Sequence, residues 1–230
     1  MTEPLFRLED IHYGYQPDHL VLNGANFQLN SGDKTALTGP NGAGKTTLFH
    51  LMVGLITPLQ GKIFAFGKPR TRESDFLEVR SKAGILFQDS DDQLFCPTVR
   101  EDIAFGPLNL GKSKEEANAI VIRTLEQLGM QGFESRITHH LSGGEKRLIS
   151  LATVLAMEPK VLLLDEPTNG LDQNAEKRLL EILLTLPQTM VIISHQADFL
   201  EKVTTQHACL ENGQIRSDGK ATGRNLQSTQ

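Results

Sequence analysis

Apolar residues recur along this chain at strand, buried-strand and helix spacings, and each spacing predicts an element. Leu5 to Tyr15, carrying Phe6, Ile11, Tyr13 and Tyr15, reads as a β-strand, and Ala25 to Leu29 as a second. Ser31-Gly32-Asp33 has the composition of a turn. The chain ahead of Gly39 is therefore expected to be antiparallel β, and Gly61 to Phe66, closed by Gly67, adds another alternating strand. Thr35 to Thr38, Gly84 to Gln88, Val161 to Leu164 and Met190 to Ser194 are short and mostly apolar, the mark of strands covered on both faces. Helical spacing begins at Leu48, Leu51 and Met52 and returns over Thr98 to Leu110, ahead of Gly111. Ser113 with Glu116 forms a capping box before a stripe of Ala117, Ile120, Val121, Leu125 and Leu128, and Gly129 stops that helix. Ser142 is a natural N-cap for a helix burying Leu148, Leu151, Ala152 and Leu155. Gln173 to Leu186 is amphipathic, and Gln206 to Ser217 reads as a hairpin turning at Asn212-Gly213, with a frayed polar end after Gly219. The order predicts an α/β fold: a mainly parallel sheet, an N-terminal antiparallel part, and a helical insertion between two parallel strands.

Composition narrows the class. With 39% hydrophobic and 22% charged residues over 230 positions, the chain suits a soluble globular protein with a substantial core. A net charge of −5 disfavours a nucleic-acid partner. Cys96 and Cys209 are far apart and in no metal-like spacing, so reduced thiols are expected. No apolar run approaches the roughly 18 residues of a membrane span, and residues Met1 to Arg7 show no secretory leader pattern. The histidines lack ligand-like spacing apart from His139-His140, read as a solvated loop.

The chemistry starts at Gly39-Pro40-Asn41-Gly42-Ala43-Gly44-Lys45-Thr46-Thr47, which sits between a strand and a helix. In that context it is a phosphate-binding P-loop. Its glycines let successive backbone N–H groups turn toward one anion, and the helix start adds its positive dipole end. Lys45 supplies a point charge and Thr46 a hydroxyl for Mg²⁺. A nucleoside triphosphate is the expected ligand. Val161 to Leu164 ends in Asp165-Glu166, at the strand end where α/β sheets gather ligands. Asp165 is placed as a carboxylate on the Mg²⁺ side, and Glu166 as a proton acceptor for an attacking water. His195 follows Met190 to Ser194 at the same sheet edge, within reach of the phosphates. Tyr15 is either a nucleobase platform or ordinary strand packing, with Tyr13 competing for the role on the same strand face. Ser142-Gly143-Gly144 at a helix start is a second, weaker anion site.

Taken in order, these motifs resemble the ATP-binding subunit of ABC transporters over almost the whole chain. The resemblance implies a P-loop NTPase (RecA-like) core and one nucleotide-binding domain over 1–230, with a helical subdomain at roughly 89–157. It makes Gln88 the Q-loop glutamine and Leu141-Ser142-Gly143-Gly144-Glu145 the signature, with Glu145 where glutamine is more usual. Val161 to Asp165 becomes the Walker B strand, Glu166 the catalytic glutamate, Gly170-Leu171-Asp172 the D-loop and His195 the switch histidine. It also makes Tyr15 the base-stacking aromatic. It implies ATP and Mg²⁺ as cofactors, with Mg²⁺ shared by Thr46, Gln88 and Asp165. It implies a head-to-tail pair of ATPase subunits, in which Ser142 and Gly144 of one copy cover the ATP of the other, and it places Gly143 and Asp172 among the nucleotide-binding residues. The DNA-acting relatives carry a long coiled coil, and the ribosome-acting ones two ATPase domains; neither feature is present in this sequence.

A narrower likeness lies in Phe87 to Phe95 and Thr98 to Gly111, which resemble the energy-coupling-factor branch of importers for nickel, cobalt or vitamins. It implies integral membrane subunits docked near Gln88–Gly111, with Asp91 and Asp92 facing basic residues of that partner, at the cytoplasmic face of the cell membrane. The chain ends soon after the hairpin, so the nickel and cobalt subgroup, working as a homodimer, is the expectation, and a vitamin importer the alternative.

Overall fold

The computed structural model describes residues 3–16 and 19–220. The antiparallel part begins with β1 (Phe6–Tyr13) and β2 (Leu22–Leu29). In β1 the buried residues Phe6 and Leu8 are out of phase with Ile11. A bulge at Asp10, whose φ is 51°, resets the alternation. Opposite it stands Gly61, where a Cβ would lie 2.4 Å from the Asp10 carbonyl oxygen. After β3 (Lys34–Thr38) and α1 (Lys45–Met52), β4 (Gln60–Ala65) and β5 (Lys68–Arg70) complete a four-stranded antiparallel sheet ordered β2-β1-β4-β5.

The chain then forms α2 (Glu73–Lys82), β6 (Ala83–Leu86), α3 (Val99–Asn109), α4 (Lys114–Gln127) and α5 (Gly143–Leu155). Next come β7 (Val161–Asp165), α6 (Gln173–Thr185), β8 (Thr189–Ile193), α7 (Ala197–Val203), β9 (Gln206–Glu211) and β10 (Gln214–Lys220). The second sheet has six strands ordered β10-β9-β3-β8-β7-β6, all parallel except the antiparallel β10. Its faces pack into separate cores. Val161 and Leu163 of β7 point toward α1 and the antiparallel sheet, and Leu162 and Leu164 toward α3 to α7. Burial on both faces is why β7 and β8 are apolar at every step.

The expected elements are present, with shifted ends. α3, α4 and α5 all start on capping boxes, at Thr98, Ser113 and Ser142. The hairpin turns at Asn212 and Gly213, both at positive φ, as a tight primed turn requires. Lys220, first residue of the tail expected to fray, ends β10, and the rest lies outside the described residues. Tyr15 is a correction: β1 ends at Tyr13, so the two tyrosines do not share a strand face. Tyr15 sits in the bend beyond, its ring edge-on to Tyr13 at 5.2 Å. The elements not anticipated are short or thinly apolar. β5 has three residues, and α2 buries only Phe76 and Val79. Arg70 anchors that region through hydrogen bonds to the Ala65 and Asp75 carbonyls and to Glu78.

Candidate functional site

The P-loop is held open by contacts that tolerate only glycine at its start. Gly39 has φ 140°, and a Cβ there would sit 2.1 Å from the Leu210 carbonyl oxygen on β9. Gly44, at φ 102°, leads into α1, and a Cβ there would press on the Val21 side chain at 2.5 Å. Lys45 folds back over the loop, donating to the carbonyls of Gly39 at 2.7 Å and Pro40 at 2.9 Å. The Ala43 N–H also returns to Pro40 O. Burial pushes the Lys45 ammonium below the usual lysine range, against the pull of Glu166 and Asp165.

β7 delivers its acids to the same place. Thr46 Oγ1 donates to Asp165 Oδ2 at 2.6 Å, joining α1 to the end of β7. Burial raises the Asp165 carboxyl above its ordinary range, although the Thr46 bond and the Arg147 charge oppose it. Glu166 follows at φ 44°, with its N–H bonded to Ile193 O of β8. Its side chain is mostly buried, and desolvation raises its carboxyl too. His195 Nε2 lies 3.3 Å from Glu166 Oε1. That contact is not aligned as a hydrogen bond, and Oε1 is a buried acceptor with no hydrogen bond among the described residues. A water is the kind of ligand such an oxygen takes.

These groups line one cavity of about 710 Å³, bounded by Tyr15, Asn41, Gly42, Gly44, Lys45, Thr46, Thr47, Gln88, Asp165, Glu166 and His195. Tyr15 is 64% exposed at its edge, and its hydroxyl shares a 3.1 Å hydrogen bond with Thr47 Oγ1. An adjoining cavity of about 620 Å³ shares Thr46, Gln88, Asp165 and Asn169 and reaches Leu141, Gly143 and Gly170. Ser142, Gly144 and Asp172 line neither cavity. Ser142 and Asp172 are instead the N-caps of α5 and α6. Asp91, expected to meet a partner's basic residue, pairs within the chain with Lys146 at 2.6 Å. The donor set at the cavity's centre suits Mg²⁺: a hydroxyl and a buried carboxylate oxygen in contact, with an amide side chain on the same wall.

Sequence reasoning missed Arg147. It is 2% exposed, and each of its guanidinium N–H groups has a backbone carbonyl to meet. Nε donates to Pro167 O at 3.0 Å, and Nη2 to Asp165 O at 2.7 Å and Glu166 O at 2.5 Å. Nη1 reaches the carbonyls of Phe87 and Gln88. One side chain of α5 thus ties the segment after β6 to the acidic end of β7. Its position in the helical stripe, next to Leu148, was the available signal.

The chain is similar to known proteins of one family. The ABC transporter family model matches residues 22–169. A putative ABC transporter ATP-binding protein of Nitratidesulfovibrio vulgaris is 47% identical over 211 residues, covering 91% of this chain and 77% of the relative. The energy-coupling factor transporter ATP-binding protein EcfA of Methanothermobacter thermautotrophicus is 41% identical over 219 residues, covering 94% of this chain and 70% of the relative. Among solved structures, CbiO1 from Clostridium perfringens, described as part of the ABC transporter complex CbiONQ, superposes with a TM-score of 0.84 at 33% identity. That match covers 94% of this chain and 88% of CbiO1.

Proposed function

The chain belongs to the ABC transporter family and is one of its ATPases, and from that premise we propose that two copies close head to tail over two ATP molecules to drive a membrane importer. In this reading Tyr15 stacks on the base, and the backbone N–H groups of Asn41 to Thr47 cradle the phosphates with Lys45. Lys45 exchanges the Gly39 and Pro40 carbonyls for phosphate oxygens. Thr46, Asp165 and Gln88 are the residues that hold Mg²⁺, which when bound neutralises charge on the phosphate oxygens. Glu166 orients a water and accepts its proton while the water oxygen bonds to the γ-phosphorus. The bond from that phosphorus to the bridging oxygen breaks, and its electron pair leaves with ADP. His195 holds the γ-phosphate in line. Ser142, Gly143 and Gly144, with Asp172, come from the second copy.

The observation that carries this reading is the buried Glu166 Oε1, which accepts no hydrogen bond among the described residues and has His195 Nε2 at 3.3 Å, in the cavity where Thr46 meets Asp165. The absence of Ser142 and Gly144 from that cavity is what a shared, two-copy site requires. Membrane subunits dock near Gln88–Gly111, and the chain works as a peripheral protein at the cytoplasmic face. Among the described residues no helix is long and apolar enough to cross a membrane. The likeness to EcfA and to CbiO1 supports an energy-coupling-factor transporter, and the cargo in this reading is nickel or cobalt, which rests on the sequence resemblance alone.

The test is Glu166→Gln, isolated from its native membranes with its partners. It is expected to retain ATP binding, lose turnover and accumulate as an ATP-loaded pair. Wild-type hydrolysis by the variant removes Glu166 from the mechanism, and a co-isolated vitamin-binding subunit overturns the metal-ion assignment.

A further inference from the structure

The start of α5 carries an arrangement that the proposed reaction does not explain. Glu145 is the third residue of the helix, and its Oε2 accepts from Ser142 N at 2.8 Å while Ser142 Oγ accepts from Glu145 N. Its other oxygen, Oε1, accepts from Arg136 Nη1 at 3.0 Å. Those contacts, the Ser142 N–H first and Arg136 after it, hold the Glu145 carboxyl below its usual range, so it is ionised at neutral pH. Arg136 is itself aimed from behind. Its guanidinium lies 3.7 Å over the Phe133 ring, and Phe133 packs against the core.

A carboxylate there has two opposing effects. It favours the helix, because a negative charge in the first turn complements the macrodipole. It also puts a full negative charge beside Ser142 and Gly143, which are exposed. A Cβ built on Gly143 would meet nothing nearer than the Gly170 carbonyl oxygen at 3.8 Å, so the approach to its N–H is open. An incoming phosphate meets the same dipole end and the same carboxylate at once. Like charges at that range repel, and the half-exposed setting screens them only in part.

We propose that Arg136 is a positioning residue for ATP-driven closure: it cancels the Glu145 charge, so that the start of α5 can accept the γ-phosphate of the ATP held by a second copy. This rests on the two-copy reading above. The pair Arg136–Glu145 keeps the capping geometry of an acid while presenting a neutral surface to the anion. Arg136 touches neither the nucleotide nor the reacting atoms; it acts through Glu145.

The experiment measures the ATP concentration that half-converts the full-length Glu166→Gln chain to a dimer, by light scattering, in four backgrounds. These are otherwise unchanged, Arg136→Gln, Glu145→Gln, and both together. Arg136→Gln is expected to raise that concentration at least fivefold. Glu145→Gln, whose amide oxygen still accepts from Ser142 N, is expected to change it less than twofold. The double variant is expected to return to the Glu145→Gln value. The Arg136→Gln defect should also shrink as salt rises, since the Debye length falls from about 10 Å at 0.1 M to about 3 Å at 1 M. A merely structural Arg136 predicts no rescue and no salt relief, and either result overturns the proposal, as does an Arg136→Gln chain that dimerises like its parent. If the Glu166→Gln parent forms no ATP-dependent dimer, the two-copy reading itself fails, and the two failures are distinct.

Discussion

Replacing Arg147 tests the architecture of the site most directly. Arg147→Met keeps a long apolar stem but removes a donor from the carbonyls of Phe87, Gln88, Asp165, Glu166 and Pro167, of which Glu166 O still accepts from Asn169 N. The bonds to Asp165 O and Pro167 O are fully buried, so those two acceptors bear most of the cost; the others lie nearer the cavity and can take water. An unsatisfied buried acceptor costs about 1–3 kcal/mol, so two give about 2–6 kcal/mol. Against this, burial already depresses the Arg147 guanidinium to a pKa of about 10, so removing the charge recovers part of its desolvation. The net expectation is about 2–4 kcal/mol, out of the roughly 5–15 kcal/mol that holds a domain folded. For a chain of this size about 1 kcal/mol moves Tm by about 2–4 °C, which places the Met variant about 4–16 °C below wild type. Arg147→Lys keeps the charge but offers one nitrogen in place of a planar fork, and should melt between the two. The assay is thermal unfolding of the nucleotide-free protein by circular dichroism, with ATP turnover measured beside it. Turnover should fall in both variants, because the carbonyls of Gln88 and Glu166 share this one guanidinium. A Met variant that melts within about 2 °C of wild type and hydrolyses ATP at its rate would refute the assigned role.

The buried acids and the exposed aromatic make further predictions. Asp165 has a folded-state pKa raised by burial, so between the ordinary carboxylate range and that raised value the folded chain binds more protons than the unfolded one. Its stability contribution therefore falls as pH rises through that window, and Asp165→Asn should raise the Tm of the nucleotide-free protein at neutral pH by a few degrees while abolishing turnover. The gain should vanish below about pH 4, where the unfolded carboxyl is protonated too, and a lower Tm at neutral pH would contradict the account. Tyr15→Ala should weaken ATP binding by about 1–3 kcal/mol, or roughly 5- to 150-fold, the usual worth of base stacking on an aromatic ring. Tyr15→Phe loses only the half-buried Thr47 bond and should stay within about threefold in a nucleotide titration, since a neutral hydrogen bond at the weak end of the range is worth about 0.5 kcal/mol. Equal losses in the two variants would assign the effect to the hydroxyl rather than the ring.

The legible parts of this chain were those where one local rule decides the outcome. β7 is apolar from Val161 to Leu164 because both its faces are covered, and in the loop from Gly39 to Thr47 Gly39 and Gly44 stand where backbone or side chains crowd the Cβ position, while Gly42 has open space but a φ of 76°. The capping box at Ser113 and the N-cap at Ser142 mark the starts of α4 and α5 without reference to anything distant, and the structure adds a capping box at Thr98 for α3. What stayed hidden depends on partners remote in sequence. The bulge at Asp10 is stabilised by its N–H donating to Asn26 Oδ1 across the hairpin and by the missing side chain of Gly61. The place of Arg147 beside the apolar stripe of its helix hints that it is buried, but only the fold shows that five backbone carbonyls end around it.

The site's electrostatics carry the same lesson one step further. Lys45 is pushed down and Asp165 and Glu166 are pushed up, each because burial disfavours its charged form. The nucleotide-free site thus holds a cation and two carboxyls all strained against ionisation, with Lys45 occupied by loop carbonyls and Asp165 by Thr46. In the proposed reaction a triphosphate with Mg²⁺ supplies opposite charge to two of the three: anionic oxygens for Lys45 and a cation for Asp165. Binding therefore relieves a penalty already present in the fold. In the proposed two-copy reading that relief is what couples ligand to closure, and it makes the Asp165→Asn stability gain and its loss of turnover two readings of one cause.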